Sequence, residues 1–196
     1  TVERTLAPYK ERMCSRSSFV GADGEPMMWH EFGPLEGPGW AANAVGGAWE
    51  IYSYGRYSRN ARYRRTALAI LDHVLEDGFI DEETGFIRGY RHTIKDQFVL
   101  NYTHNNDWFA PGAMAKIAFQ LLHFSDLRPR AARIAARTAA WIEAKVKPTP
   151  TGWYPRRTTP DGVHYPWAAG GKKREDLQFD GSADGLHVVQ LMAALT

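Results

Sequence analysis

Two stretches of this chain are apolar on almost every face of a helix, and each is followed by a helix with one wet face. Trp40 to about Tyr57 is the first apolar run, and Trp108 to Phe124 is the second. The sequence Ala61 to about Glu76 follows the first with a stripe of Tyr63, Ala67, Leu71 and Val74 beside Leu68 and Leu75. Arg130 to Lys147 follows the second, with Ile134, Ala135, Trp141, Ile142 and Val146 directed inward. A helix that is apolar all round has to be buried, and a one-sided helix has to cover something. The chain therefore predicts inner helices alternating with outer ones.

The alternation repeats at a fixed distance. The inner helices open near Trp40 and Asp107, 107 − 40 = 67 residues apart, and the turns Thr84-Gly85-Phe86 and Thr151-Gly152-Trp153 begin 151 − 84 = 67 apart. The pairs Val74-Leu75 and Trp141-Ile142 keep this offset. A third apolar run opens at Asp184, 184 − 107 = 77 residues after the second, which calls for about ten extra residues in the preceding loop. Each unit reads as buried helix, tight turn, amphipathic helix, long loop. The predicted class is all-α, repeated helical hairpins of an (α/α) toroid, with short extended pieces in the loops. Residues 1–39, dense in Gly and Pro, form a loop-rich segment. Residues 40–196 hold the repeat, with units at 40–106 and 107–183 and a third starting at 184.

Composition narrows the function classes. The formal net charge is +2, so no nucleic-acid or anionic-membrane partner is implied. No window approaches the roughly 18 apolar residues of a membrane span. A single cysteine, Cys14, excludes an internal disulfide and disfavours a thiolate metal site. Neither HxxxH nor HExxH occurs, and Gly170-Gly171-Lys172-Lys173 lacks P-loop spacing, so no metal and no cofactor is expected. Asn101-Tyr102-Thr103 matches a glycosylation sequon. The aromatic content of 13% suits either a core of large rings or a cleft that stacks sugar rings.

With its repeat and loop placement, the stretch 40–196 resembles the six-hairpin glycosidase-like superfamily of (α/α) toroids. A full ring there has about twelve helices, so the chain looks like about half of one. The resemblance places a cleft on the face of the long loops, which here are residues 77–106 and 147–183. It implies a carbohydrate or other small-molecule substrate and a carbohydrate-active enzyme.

The long loops carry the candidate chemistry. Asp107 and Asp184, at the mouths of successive inner helices, are the candidate catalytic carboxylates of a glycoside hydrolase. One would protonate the leaving oxygen while the other activates water, at a separation of roughly 6.5–9.5 Å for inversion or about 5 Å for retention. Asn106 or Asp107, and Ser182 or Asp184, would serve equally as helix N-caps. Trp40, Arg88, Tyr90, Tyr102, His104, Asn105, Trp108, Trp153, Arg156 and Asp180 are the candidate substrate-binding residues. Tyr102, His104, Asn105 and Arg88 also suit a uronate lyase or sugar epimerase, in which Tyr and His move the proton. A sugar-binding or scaffold toroid without catalysis is the third reading. Trp29-His30-Glu31 would cover the cleft, and Glu50, inside the first inner helix, calls for an Arg partner such as Arg56 or Arg88.

Overall fold

The computed structural model describes residues 35–39, 43–150, 152–165, 168–169, 172–173 and 183–196. For Asn43, Ala168, Ala169, Lys172, Lys173, Ala183 and Asp184 only the backbone is described. Trp29, His30, Glu31, Trp40, Asp180 and Ser182 lie outside these residues.

The described residues are mostly helical, in the order α1 (Asn43–Tyr57), α2 (Ala61–Glu76), α3 (Pro111–Leu122), α4 (Pro129–Lys145) and α5 (Ala183–Leu195). Five short strands accompany them: β1 (Leu35–Glu36), β2 (Tyr90–His92), β3 (Gln97–Val99), β4 (Ala168–Ala169) and β5 (Lys172–Lys173). Helix α2 coincides with the stretch its stripe predicts. Asn60 caps it, its Oδ1 accepting from Arg62 N at 3.0 Å. The buried side Tyr63, Ala67, Ile70, Leu71, Val74 and Leu75 follows the three-and-four spacing of an amphipathic helix. Gly78, at φ +82°, then turns the chain out of the helix.

Inner helix α3 packs against both α1 and α5, while α2 covers α1 and α4 covers α3. Gly46 faces Gln120, and Trp49 stacks on His123 with ring centroids 5.1 Å apart. Residue numbers rise together along this contact, so α1 and α3 run parallel and both open toward the long loops. Ile51, Leu71, Ile117, Leu121, Phe124, Ile134, Ile142, Val188 and Leu191 belong to one continuous core. Truncating any of the leucines or isoleucines there to Ala would cost about 2–5 kcal/mol. This is the layered arrangement of helical hairpins in an α/α toroid.

Helix α4 is tied to the preceding hairpin by polar contacts as well as by the core. Arg128 grips both oxygens of Asp72, each at 2.7 Å. Arg130 donates to Leu75 O at 2.7 Å and pairs with Glu82. Arg137 reaches the Glu82 carbonyl, and Thr138 Oγ1 donates to Gly85 O at 2.6 Å.

Two local expectations are corrected. Helix α3 begins at Pro111, not Trp108, because the chain up to Ala110 is held extended, with Phe109 bridged to Thr158. Glu50 is exposed on α1, so no buried carboxylate has to be compensated there.

Candidate functional site

The rim where the long loops gather is built on a small sheet. Strand β2 pairs antiparallel with β1, Leu35 opposite His92, and with β3, Tyr90 opposite Val99 and His92 opposite Gln97. Leu35, Tyr90 and Val99 form a second buried cluster under it, against which Tyr102 packs. The candidate Tyr90 thus spends its ring on the sheet's own core, 1% exposed.

The loop leaving β3 is organised by Asn101. Its amide nitrogen donates to Asn105 Oδ1 at 2.6 Å and to Trp108 O at 2.9 Å, and its oxygen accepts from Thr103 N at 2.9 Å and Thr103 Oγ1 at 2.6 Å. With both ends of the amide engaged and the residue 1% exposed, the sequon match is not a glycan acceptor in this fold. Asn105 Oδ1 also accepts from Asp107 N at 3.1 Å, and Asn106 Oδ1 from Leu100 N at 2.9 Å. Neither Asn106 nor Asp107 caps α3, whose N-cap is Ala110 with no side-chain bond and with Pro111 in the first turn. The loop's own turns use the asparagines before the helix starts. Asp107 is therefore exposed on the rim with its carboxylate outside the capping role. Asp184 lies inside the first turn of α5 instead of ahead of it, and its side chain is outside the description.

The second long loop is laid beside the first. Phe109 and Thr158 exchange backbone hydrogen bonds at 2.8 and 2.9 Å, and Tyr165 N donates to Arg157 O at 3.0 Å. This brings Arg157 over the Trp108 ring, 4.6 Å from its centroid, and within 3.0 Å of the Tyr102 hydroxyl, to which Nη2 donates. Trp108 meets Tyr102 edge to face at 5.3 Å and Tyr165 at 6.4 Å. The result is a packed aromatic platform in which Trp108 is 4% and Arg157 7% exposed, with the half-buried Tyr102 and Tyr165 at its edge.

A second group of titratable side chains stands on the sheet. His104, in the left-handed region at φ 63°, meets His92 edge to face with ring centroids 5.3 Å apart. His92 is 5% exposed, and its Nδ1 accepts from Lys95 N at 3.3 Å, which leaves the proton of the neutral ring on Nε2. Burial, then the charges of Lys95 and His104, hold the His92 pKa below the ordinary histidine value.

The other sequence candidates fall elsewhere. Arg88 donates to Gly78 O at 3.0 Å and lies over Phe98, so its guanidinium braces the loop. Arg156 is half-buried and Trp153 is 52% exposed, beyond the aromatic platform. A cavity of about 20 Å³ lies at the N-terminus of α3, between Gly39, Gly89, Tyr90, Leu100, Ala110 and Met114. That is room for about one water. Reading the sequence alone missed Arg157, Tyr165 and the pairing of His92 with His104. Arg157 follows Arg156 directly, and nothing in the local pattern distinguishes the two.

No family model matches the sequence, and no curated protein matches it. Among solved structures, the chain is similar to cellobiose 2-epimerase from Spirochaeta thermophila DSM 6192, with a TM-score of 0.62 and 12% identity. The match covers 99% of this chain and 49% of that one, so the chain spans about half the length of the solved structure. At this identity the likeness is one of fold, and it agrees with the helical-hairpin toroid described above.

Proposed function

We propose that the rim of this toroid acts on a sugar by taking a proton from the carbon next to a carbonyl, and either returns it to that carbon, as an epimerase does, or passes it to the departing glycosidic oxygen as the double bond forms, as a uronate lyase does. The observation that carries the reading is the His92–His104 pair, with ring centroids 5.3 Å apart, on a rim that also holds Tyr102, Trp108 and Arg157. The fold it shares with a sugar epimerase supports the same direction.

The chemistry needs few parts. In the open-chain form of a reducing sugar, the carbon beside the aldehyde is acidic enough for an imidazole to deprotonate. The resulting enediolate is protonated from the opposite face, which inverts that carbon, and no net oxidation occurs. Histidine suits both roles because its ordinary pKa lies near neutrality. His104, half-buried beside His92, takes the part nearest the substrate, and Tyr102 is the second proton carrier. The candidate Trp108, 4% exposed, and Arg157, 7% exposed, stack on each other and hold Tyr102 in place, so Tyr102 and Tyr165, both half-buried, are the rings left to meet a sugar.

A glycoside hydrolase using Asp107 and Asp184 is the second reading. It is favoured by one observation: Asp107 is exposed on the rim and takes no part in capping α3.

Incubating the protein with reducing disaccharides in deuterium oxide separates these readings. Deuterium entering the carbon beside the carbonyl, with the epimer appearing in the proton spectrum, is the expected result. His104→Ala and Tyr102→Phe should remove it, and Asp107→Asn should leave it. With uronate polymers, lyase activity would instead raise ultraviolet absorbance through the unsaturated product. New reducing ends that depend on Asp107 would assign the hydrolase. Exchange that survives both His104→Ala and Tyr102→Phe, or sugars unchanged in all three assays, would overturn the proposal.

A further inference from the structure

Arg157 is buried, so it has little access to a sugar of its own. Its guanidinium carbon lies 4.6 Å from the centre of the Trp108 ring, and Nη2 donates to the Tyr102 hydroxyl at 3.0 Å. Its backbone is fixed as well. The Arg157 carbonyl accepts from Tyr165 N at 3.0 Å, and the next residue, Thr158, exchanges backbone bonds with Phe109 at 2.8 and 2.9 Å. Tyr102 is half-buried, so it is the member of the pair with access to the rim.

The direction of the bond between them has a chemical consequence. Arginine carries donors only, so the phenol oxygen accepts and the phenol's own proton lies outside this bond. A cation that donates to an oxygen favours the negative charge left there when the oxygen gives up its proton. Trp108 takes one face of the planar guanidinium and leaves its edge to the phenol, a geometry that a flexible ammonium does not hold. The turn that carries Tyr102 also carries His104. Asn101 fastens that turn from within the first long loop, its carbonyl accepting from His104 N at 3.2 Å and its side chain bonding Thr103 and Asn105. Arg157 fastens it from the second.

We propose that Arg157 is a positioning residue for proton donation, presenting the Tyr102 proton to the sugar and stabilising the phenolate that donation leaves. The assignment rests on the proton-transfer reading of the rim, and it gives Tyr102 the donor's part and His104 the base's part. After His104 has taken the proton beside the carbonyl, the Tyr102 O–H bond breaks and its electron pair stays on the oxygen next to Arg157. In an epimerisation the proton forms a new C–H bond on the opposite face of the enediolate. In an elimination it goes to the departing glycosidic oxygen instead. The imidazolium then returns a proton to the phenolate through water, and the protein ends as it began.

The test compares Arg157→Met and Arg157→Lys with the unaltered chain on the same reducing disaccharides and uronate polymers, at a temperature where circular dichroism shows each variant folded. A bond to an oxygen that becomes charged in the transition state is lost in Arg157→Met, so kcat should fall about 30-fold while KM stays within about twofold. Arg157→Lys keeps the charge and should fall less, and it carries the same comparison should Arg157→Met unfold. Replacing Tyr102 by 3,5-difluorotyrosine, a more acidic phenol, should recover about tenfold in the Arg157→Met background and little in the unaltered one. A role in packing alone would not answer to the acidity of the phenol. Unchanged kcat in Arg157→Met would overturn the proposal and leave the proton-transfer reading standing. So would equal responses to difluorotyrosine in the two backgrounds. An unaltered chain that converts none of these sugars would overturn that reading and this assignment together.

Discussion

Arg157 and Tyr102 are 55 residues apart in sequence and 3.0 Å apart in space, Nη2 donating to the phenol oxygen while the guanidinium lies over Trp108. The bond clamps the two long loops to each other at the rim. Arg157 is 7% exposed, so the cation–π contact is largely desolvated and contributes about 1–2 kcal/mol. Arg157→Met should lower unfolding stability by about 2 kcal/mol in urea titration, combining lost stacking with a lost hydrogen bond. Tyr102→Phe should cost about 1 kcal/mol. The double variant should fall short of the sum, because both remove the same bond.

The two repeat-related glycines give a paired test of packing against backbone strain. Gly152→Ala meets only the left-handed conformation and should cost about 1 kcal/mol. Gly85→Ala meets the same strain and also drives a methyl into the α4 backbone at Arg137 and Thr138, so its cost should reach about 3 kcal/mol or more. Thermal or urea unfolding of the two variants, measured side by side, checks the difference. Equal costs would mean that α4 does not press on Gly85 as described.

The helices were largely legible because burial is written into their spacing. Helix α2 runs between the residues its stripe marks, and the tight turns at Gly85 and Gly152 stand at the offset that exposed the repeat. The rim was less legible, for a physical reason. Its geometry comes from contacts between loops far apart in sequence: Phe109 with Thr158, Tyr102 with Arg157, and Thr138 with Gly85. A hairpin register places His92 beside His104 only once β2 and the Asn101 turns have formed. Capping failed as a guide at Asp107 because Asn101, Asn105 and Asn106 build a hydrogen-bonded loop before the helix, and the extended Ala110 and Pro111 then start it without a polar cap. Local preference reads a helix start from polar residues. Here the same residues were satisfying loop backbone.

The ion pair between Arg128 and Asp72 joins α4 to α2 in two-pronged geometry, and the bond from Asp72 raises the Arg128 pKa further above its ordinary value. The arginine is charged throughout any accessible pH range. Both side chains are about one-third exposed, at 36% and 32%, so water and salt weaken the pair. Asp72→Asn should cost about 0.5–1 kcal/mol at low salt. The difference from wild type should shrink in concentrated sodium chloride, read as converging urea midpoints.

His92 should make stability depend on pH in one narrow window. Burial and the nearby Lys95 and His104 charges lower its pKa in the fold below the value of about 6.5 that it recovers on unfolding. Between those two values the unfolded chain binds the extra proton and the folded chain does not, so stability rises with pH there. The folded state thus has its full stability above pH ~6.5 and loses it on acidification, until His92 protonates in the fold as well. His92→Gln keeps a polar group on the sheet and removes the titration. Urea midpoints measured from neutral to mildly acidic pH should fall for wild type and fall less for His92→Gln. His104→Gln should also reduce the slope, because the neighbouring imidazole is one of the charges that lowers the His92 pKa. A slope unchanged in His92→Gln would place the acid sensitivity in other groups and show that folding does not change the proton affinity of His92.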